Sequence, residues 1–110
     1  EHLVGDVDGR DTIIVDDIVD TAGTLIGAAR ALRDAGASSV RAFCTHPILS
    51  GPAIDNLQRS GVDKLVVTDT IPLSKQKRSC EKIEVISVAP LIAEAVLRNF
   101  RGESVSALFN

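Results

Sequence analysis

The sequence predicts an α/β fold, a parallel sheet with flanking helices, on three observations. Short β-branched apolar runs alternate with segments whose apolar residues recur every three or four positions. Gly, Pro or polar clusters punctuate the changes of pattern. The first run, Thr12, Ile13, Ile14, Val15, is apolar at consecutive positions, as in a strand covered on both faces.

The elements follow in order. Residues 12–15 predict a strand buried on both faces. Beyond Gly23, Leu25, Ile26, Ala28, Ala29, Ala31 and Leu32 follow helical spacing, and Gly36 stands where a C-terminal cap belongs. Residues 39–45 predict a second strand. A helix follows over 52–59, with Pro52 suited to its first turn and Gly61 at its end. Residues 64–68 predict a third strand, 70–81 a polar loop, 83–87 a fourth strand and 90–99 a last helix. Strands alternating with helices imply right-handed βαβ units. The tail from Gly102 carries only Val105, Leu108 and Phe109 as large apolar residues, so it is expected to dock on a neighbouring surface.

Composition narrows the function classes. The 110 residues are 45% hydrophobic and 25% charged, the balance of one globular domain with little stability margin, so residues 1–110 are expected to form one domain, helped by an oligomer or a missing half. Twelve basic against fifteen acidic residues give a net charge of −3, and the three aromatics are all Phe, which argues against nucleic acid as a partner. Cys44 and Cys80 fit neither a zinc spacing nor a redox pair and read as reduced thiols of a cytoplasmic protein. No apolar run reaches the roughly 20 residues of a membrane span. A start at Glu1 that runs almost at once into a strand reads as a piece of a longer chain.

The chemistry-bearing stretch is Asp16, Asp17, Ile18, Val19, Asp20, Thr21, Ala22, Gly23, Thr24, which places three carboxylates and two hydroxyls between a strand's end and a helix's start. Ligands of open α/β sheets sit at that edge. Unpaired amides at a helix start favour an anion by up to about 2 kcal/mol, and the Thr21 and Thr24 hydroxyls add donors. Ala22 and Gly23 are small enough for close approach of a phosphate. Asp16 and Asp17 repel each other unless a sugar diol, Mg²⁺ or both compensate them. Phosphate and diol a few ångströms apart suggest a phosphorylated pentose; the bland alternative is that Asp20 or Thr21 is only an N-cap.

This loop resembles the phosphoribosyl-diphosphate (PRPP) binding motif of type I phosphoribosyltransferases, and the version here is particularly like that of ribose-phosphate pyrophosphokinases, which share the fold. Three further stretches resemble the second family in the same order: Cys44, Thr45, His46, Pro47, Ile48, Leu49, Ser50, Gly51, Pro52, Ala53; then Val66, Val67, Thr68, Asp69, Thr70, Ile71, Pro72; then Glu103, Ser104, Val105, Ser106, Ala107, Leu108, Phe109. The resemblance implies the carboxyl-terminal portion of an enzyme that passes pyrophosphate from MgATP to ribose 5-phosphate, giving PRPP and AMP. It implies that Asp16 and Asp17 face the ribose hydroxyls, directly or through Mg²⁺, that Asp20, Thr21, Ala22, Gly23 and Thr24 hold the 5-phosphate, and that the parent is a homo-oligomer, commonly a hexamer. Ser104 and Ser106 match a segment beside a regulatory anion site for phosphate and ADP.

The family's catalytic loop and its ATP residues have no counterpart among these residues, so no catalytic residue is assigned and the isolated chain is expected to be inactive. His46 reads as a structural histidine, Cys44 as a buried strand residue, His2 as a frayed end, and Lys75, Lys77 and Arg78 as a solvated loop; Cys80 is unassigned. Two other readings compete: a nucleobase phosphoribosyltransferase, and a non-catalytic regulatory relative.

Overall fold

A computed structural model describes residues 3–110; His2 lies outside the described residues. Strands β1 (Asp11–Val19), β2 (Ser39–Pro47), β3 (Lys64–Thr68) and β4 (Ile83–Ile86) form one parallel sheet in the order β1-β2-β3-β4. Helices α1 (Gly23–Asp34), α2 (Ala53–Gln58) and α3 (Lys75–Arg78) lie in the successive connections, and α4 (Ala89–Arg101) follows β4. The α/β class expected from the alternating pattern is therefore the class observed.

The core lies on one face of the sheet. Val40, Ala42 and Cys44 of β2 and Leu65 and Val67 of β3 pack with Leu25 and Ala29 of α1 and Leu57 of α2. A fully buried Leu such as Leu57 contributes about 1.5–3 kcal/mol through removal of its side chain from water. Helix α1 ends as Gly36 predicts. The Gly36 and Ala37 amides donate to the Arg33 and Leu32 carbonyls at 2.9 and 3.0 Å, with Gly36 at φ +94°.

Two cations close the end of the sheet opposite the ligand edge. Arg33 Nε donates to the Gly61 carbonyl at 3.0 Å, and its Nη2 meets both carboxylate oxygens of Asp63 at 2.7 Å. Asp63 in turn accepts the Val40 amide. Lys82 Nζ donates to the carbonyls of Leu57, Gln58 and Ser60 at 3.1–3.2 Å, satisfying the end of α2 where no glycine cap stands.

Several expectations need correction. Strand β1 is not buried on both faces: Ile13 is 64% and Val15 79% exposed. Its sequence suits a doubly covered strand, but the described helices α1 and α2 cover only the face that carries Val40 and Leu65. The opposite face leaves Ile13, Val15, Phe43 and Ile86 open. Strand β1 also continues to Val19, so Asp16 and Asp17 stand on the strand rather than in a loop after it. The stretch expected as loop contains α3, whose start is capped by Ser74 Oγ accepting the Lys77 amide. Within that stretch, Lys75 and Arg78 are solvated as expected, whereas Lys77 is half-buried and donates to the Ile48 carbonyl. The tail forms a 3-10 turn over Ser106–Phe109 that docks only in part: Val105 and Leu108 are half-buried, whereas Phe109 is 70% exposed.

Candidate functional site

The carboxyl end of β1 and the start of α1 enclose a cleft of about 230 Å³ lined by Asp16, Ile18, Val19, Asp20, Thr21, Ala22, Gly23, Thr24 and Leu25. Six of the seven residues singled out for the sugar phosphate thus converge there. Asp17 does not line the cleft, because it follows Asp16 on a strand and successive side chains point to opposite faces. Asp16 also borders a second hollow of about 120 Å³ on the open sheet face, beside Val15, Phe43, Thr45 and Thr68.

Neither Asp20 nor Thr21 caps α1. The cap position belongs to Ala22, in the left-handed region at φ 69°, with no side-chain hydrogen bond. The Asp20 carboxylate instead accepts the Ser50 hydroxyl. Among the described residues, no acceptor engages the amides of Thr21, Ala22, Gly23 or Thr24. Four unpaired donors at the positive end of a 12-residue helix form an anion site by geometry and dipole together.

Gly23 adds a second indication. Its φ is unremarkable, and a Cβ built there would meet nothing nearer than Thr21 Oγ1 at 3.9 Å. The chain's own packing therefore does not require glycine at this position, whereas close approach of a ligand would.

The acidic pair is partly compensated from within. Asp16 Oδ1 accepts the Asp17 amide and Asp17 Oδ1 accepts the Ile18 amide, each at 2.8 Å. No basic side chain lines the cleft, so an anion there relies on amides, the helix dipole and any cation brought with it. Among the described residues no group of three or more His, Cys, Asp or Glu is placed to hold a metal. Asp16 and Asp17 are hard oxygen donors of the kind Mg²⁺ takes one or two at a time, with the remaining positions left to substrate and water.

Neighbouring polar groups have structural partners. His46 Nδ1 lies 2.8 Å from Thr70 Oγ1, which also lies 2.9 Å from the Thr45 carbonyl. Cys44 is buried, and burial pushes its thiol up, with the charges of Asp16 and Asp17 adding to that against a backbone hydrogen bond with Val19. Asp69 accepts the Ser87 hydroxyl at 2.6 Å and the Val88 amide at 2.9 Å just before α4, and these bonds hold its carboxyl below the usual range. Cys80 is buried in the core cluster.

Ser104 and Ser106 stand outside the cleft. Their hydroxyls lie 3.0 Å apart and are exposed, and Arg98 Nη1 donates to the Ser104 carbonyl at 3.1 Å. Ser50 was missed as a site-related residue. The sequence signals for it are its place after the β2 strand run, before Gly51 and Pro52, and its membership of the Cys44 to Ala53 stretch that carries the resemblance.

A ribose-phosphate pyrophosphokinase of Bordetella pertussis is 57% identical over 108 residues, covering 98% of this chain and 35% of that protein. One of Bacillus cereus is 51% identical over 109 residues, covering 99% and 34%. The crystal structure of phosphoribosylpyrophosphate synthetase from Mycobacterium smegmatis matches with a TM-score of 0.84 at 40% identity, over 90% of this chain and 33% of that one. The chain thus spans about a third of the length of these relatives. The family model that matches residues 2–110, almost the whole sequence with its loop and sheet, is the phosphoribosyl synthetase-associated domain, and the chain belongs to that family.

Proposed function

We propose that this chain is the carboxyl-terminal, ribose-5-phosphate-binding portion of an enzyme that transfers pyrophosphate from ATP to the anomeric hydroxyl of ribose 5-phosphate, giving PRPP and AMP. The observation that carries the reading is the row of unpaired amides at 21–24 facing a cleft with the Thr21 and Thr24 hydroxyls and the Asp16 carboxylate. The 5-phosphate takes the amides and hydroxyls, and the ribose diol lies toward Asp16, the acid of the pair that lines the cleft. Mg²⁺ would be held by the Asp16 carboxylate with substrate and water and would neutralise phosphate charge. The residues of this chain bind and position, which in phosphoryl and pyrophosphoryl transfer supplies much of the rate.

ATP binding and catalytic groups belong to the remaining two-thirds of the parent, as does assembly into a homo-oligomer. Ser104 and Ser106 would contribute hydroxyls to a regulatory anion site completed by other parts of that parent. The relatives favour this reading over a nucleobase phosphoribosyltransferase, being pyrophosphokinases by name.

Calorimetric titration of ribose 5-phosphate, with and without Mg²⁺, into the wild-type chain and a Thr21→Ala, Thr24→Ala double variant tests the proposal. Binding that the folded double variant loses supports it. Absence of binding by the folded wild type overturns the reading of this chain as a sugar-phosphate site.

A further inference from the structure

The amides of the loop face the cleft because something holds its carbonyls the other way. Three consecutive carbonyls accept hydrogen bonds from one segment. Val19 O accepts the Ile48 and Leu49 amides, both at 3.1 Å, and Asp20 O accepts the Ser50 amide at 3.0 Å. Thr21 O accepts Asn56 Nδ2 at 3.2 Å. A trans peptide is planar, so a carbonyl and the amide that follows it point in opposite directions. The Asp20, Thr21 and Ala22 amides must therefore point away from the 48–56 segment. No residue of 48–56 lines the 230 Å³ cleft, which is formed on the other side of the loop.

Ser50 acts on both the main chain and the side chain of Asp20. Its amide meets the Asp20 carbonyl, and its hydroxyl meets the Asp20 carboxylate. The second bond matters because a carboxylate left beside a phosphate costs affinity through like-charge repulsion. With the Ser50 hydroxyl on it, the Asp20 charge is drawn toward the 48–56 side and partly neutralised. Leu49 shows how firmly this segment is set. It is 1% exposed and sits at φ +51°, a left-handed conformation that a branched residue adopts only when packing and hydrogen bonds impose it.

We propose, on the basis of the sugar-phosphate reading above, that Ser50 and Asn56 are positioning residues for the phosphate. They touch no ligand, but they orient the 20–22 peptides so that their amides receive it. Segment 48–56 is then the rigid backing of the site, and its side chains determine affinity through the loop.

The test titrates ribose 5-phosphate into the wild-type chain and into Ser50→Ala, Ser50→Thr and Asn56→Ala variants, reading affinity by calorimetry and the ¹⁵N–¹H signals of Thr21, Ala22, Gly23 and Thr24 by NMR. Ser50→Ala is expected to weaken binding by about tenfold, the scale of one lost hydrogen bond to a charged group, and Asn56→Ala, whose bond is to a neutral carbonyl, by about three- to tenfold. They should also shrink the ligand-induced shifts of the Thr21 and Ala22 amides, whose peptides the segment holds, while core signals such as Leu57 stay in place. Ser50→Thr, which keeps the hydroxyl, is expected to bind within about threefold of wild type, a rescue that general loss of packing would not give. Affinity and loop shifts unchanged in both alanine variants would overturn the positioning role and leave the sugar-phosphate reading standing. A folded wild type without binding overturns both.

Discussion

Gly23→Ala separates what the fold needs from what the site needs. Gly23 has an unremarkable φ and open space where a Cβ would go, so the unliganded chain accommodates alanine without strain. Alanine also restricts the unfolded chain, which stabilises a compatible position by about 0.4–1 kcal/mol. With an unfolding entropy of roughly 2.1 cal/mol/K per residue, a chain of this length gains about 2–4 °C in Tm. Binding moves the other way. The new methyl occupies the side from which a phosphate oxygen approaches the amides, and loss of one charge-assisted hydrogen bond, about 1.5–3 kcal/mol, weakens ribose 5-phosphate by about 10- to 150-fold. Differential scanning fluorimetry and calorimetric titration on the same preparation give both numbers. A lower Tm would show that the fold itself requires glycine there. Unchanged affinity with a raised Tm would show that no ligand comes near Gly23, and the argument from open space would fail.

Other perturbations follow from the same structure. Asp69, held below its ordinary range by Ser87 and Val88, adds stability that is complete above the ordinary carboxylate value near 3.8 and disappears as pH falls through its lowered folded-state value; thermal melts of wild type and Asp69→Asn should converge in acid and separate above about pH 5. Leu57→Ala, at a fully buried site between α2 and the sheet, should cost about 2–5 kcal/mol in urea unfolding without altering the loop's geometry. Gly36→Ala combines a left-handed φ with a clash against the Asp8 side chain, and a loss of more than about 1 kcal/mol is expected in the same assay.

Much of this architecture was legible from local pattern. The apolar spacing of Leu25, Ala29 and Leu32 marks α1, and Gly36 marks its end because a left-handed cap is a local requirement. What escaped depends on partners distant in sequence. Asp16 and Asp17 read as loop because Asp is rare inside strands, yet Asp16 lies in register with Cys44 of β2, which carries the strand on to Val19. Asp20 read as part of the phosphate loop, with an N-cap as the bland alternative, and neither reading showed that Ser50, thirty positions away, meets its carboxylate. Exposure of Ile13 and Val15 was likewise hidden, since sequence shows that a residue suits burial but not whether anything is present to bury it. Within the site, the residue types of the cleft were readable, while the orientation of its amides was not.

Strand β1 is also an edge. Nothing pairs with its outer side among the described residues, and with Ile13, Val15 and Ile18 exposed along nine residues it could template a second copy of itself. Asp16 and Asp17 stand against that outcome. Each carboxylate accepts the amide that follows it, and together they set two negative charges where a copy in register would bring two more. Replacing both with Asn would therefore remove the carboxylate proposed to receive a sugar and two charges that oppose self-association in one step.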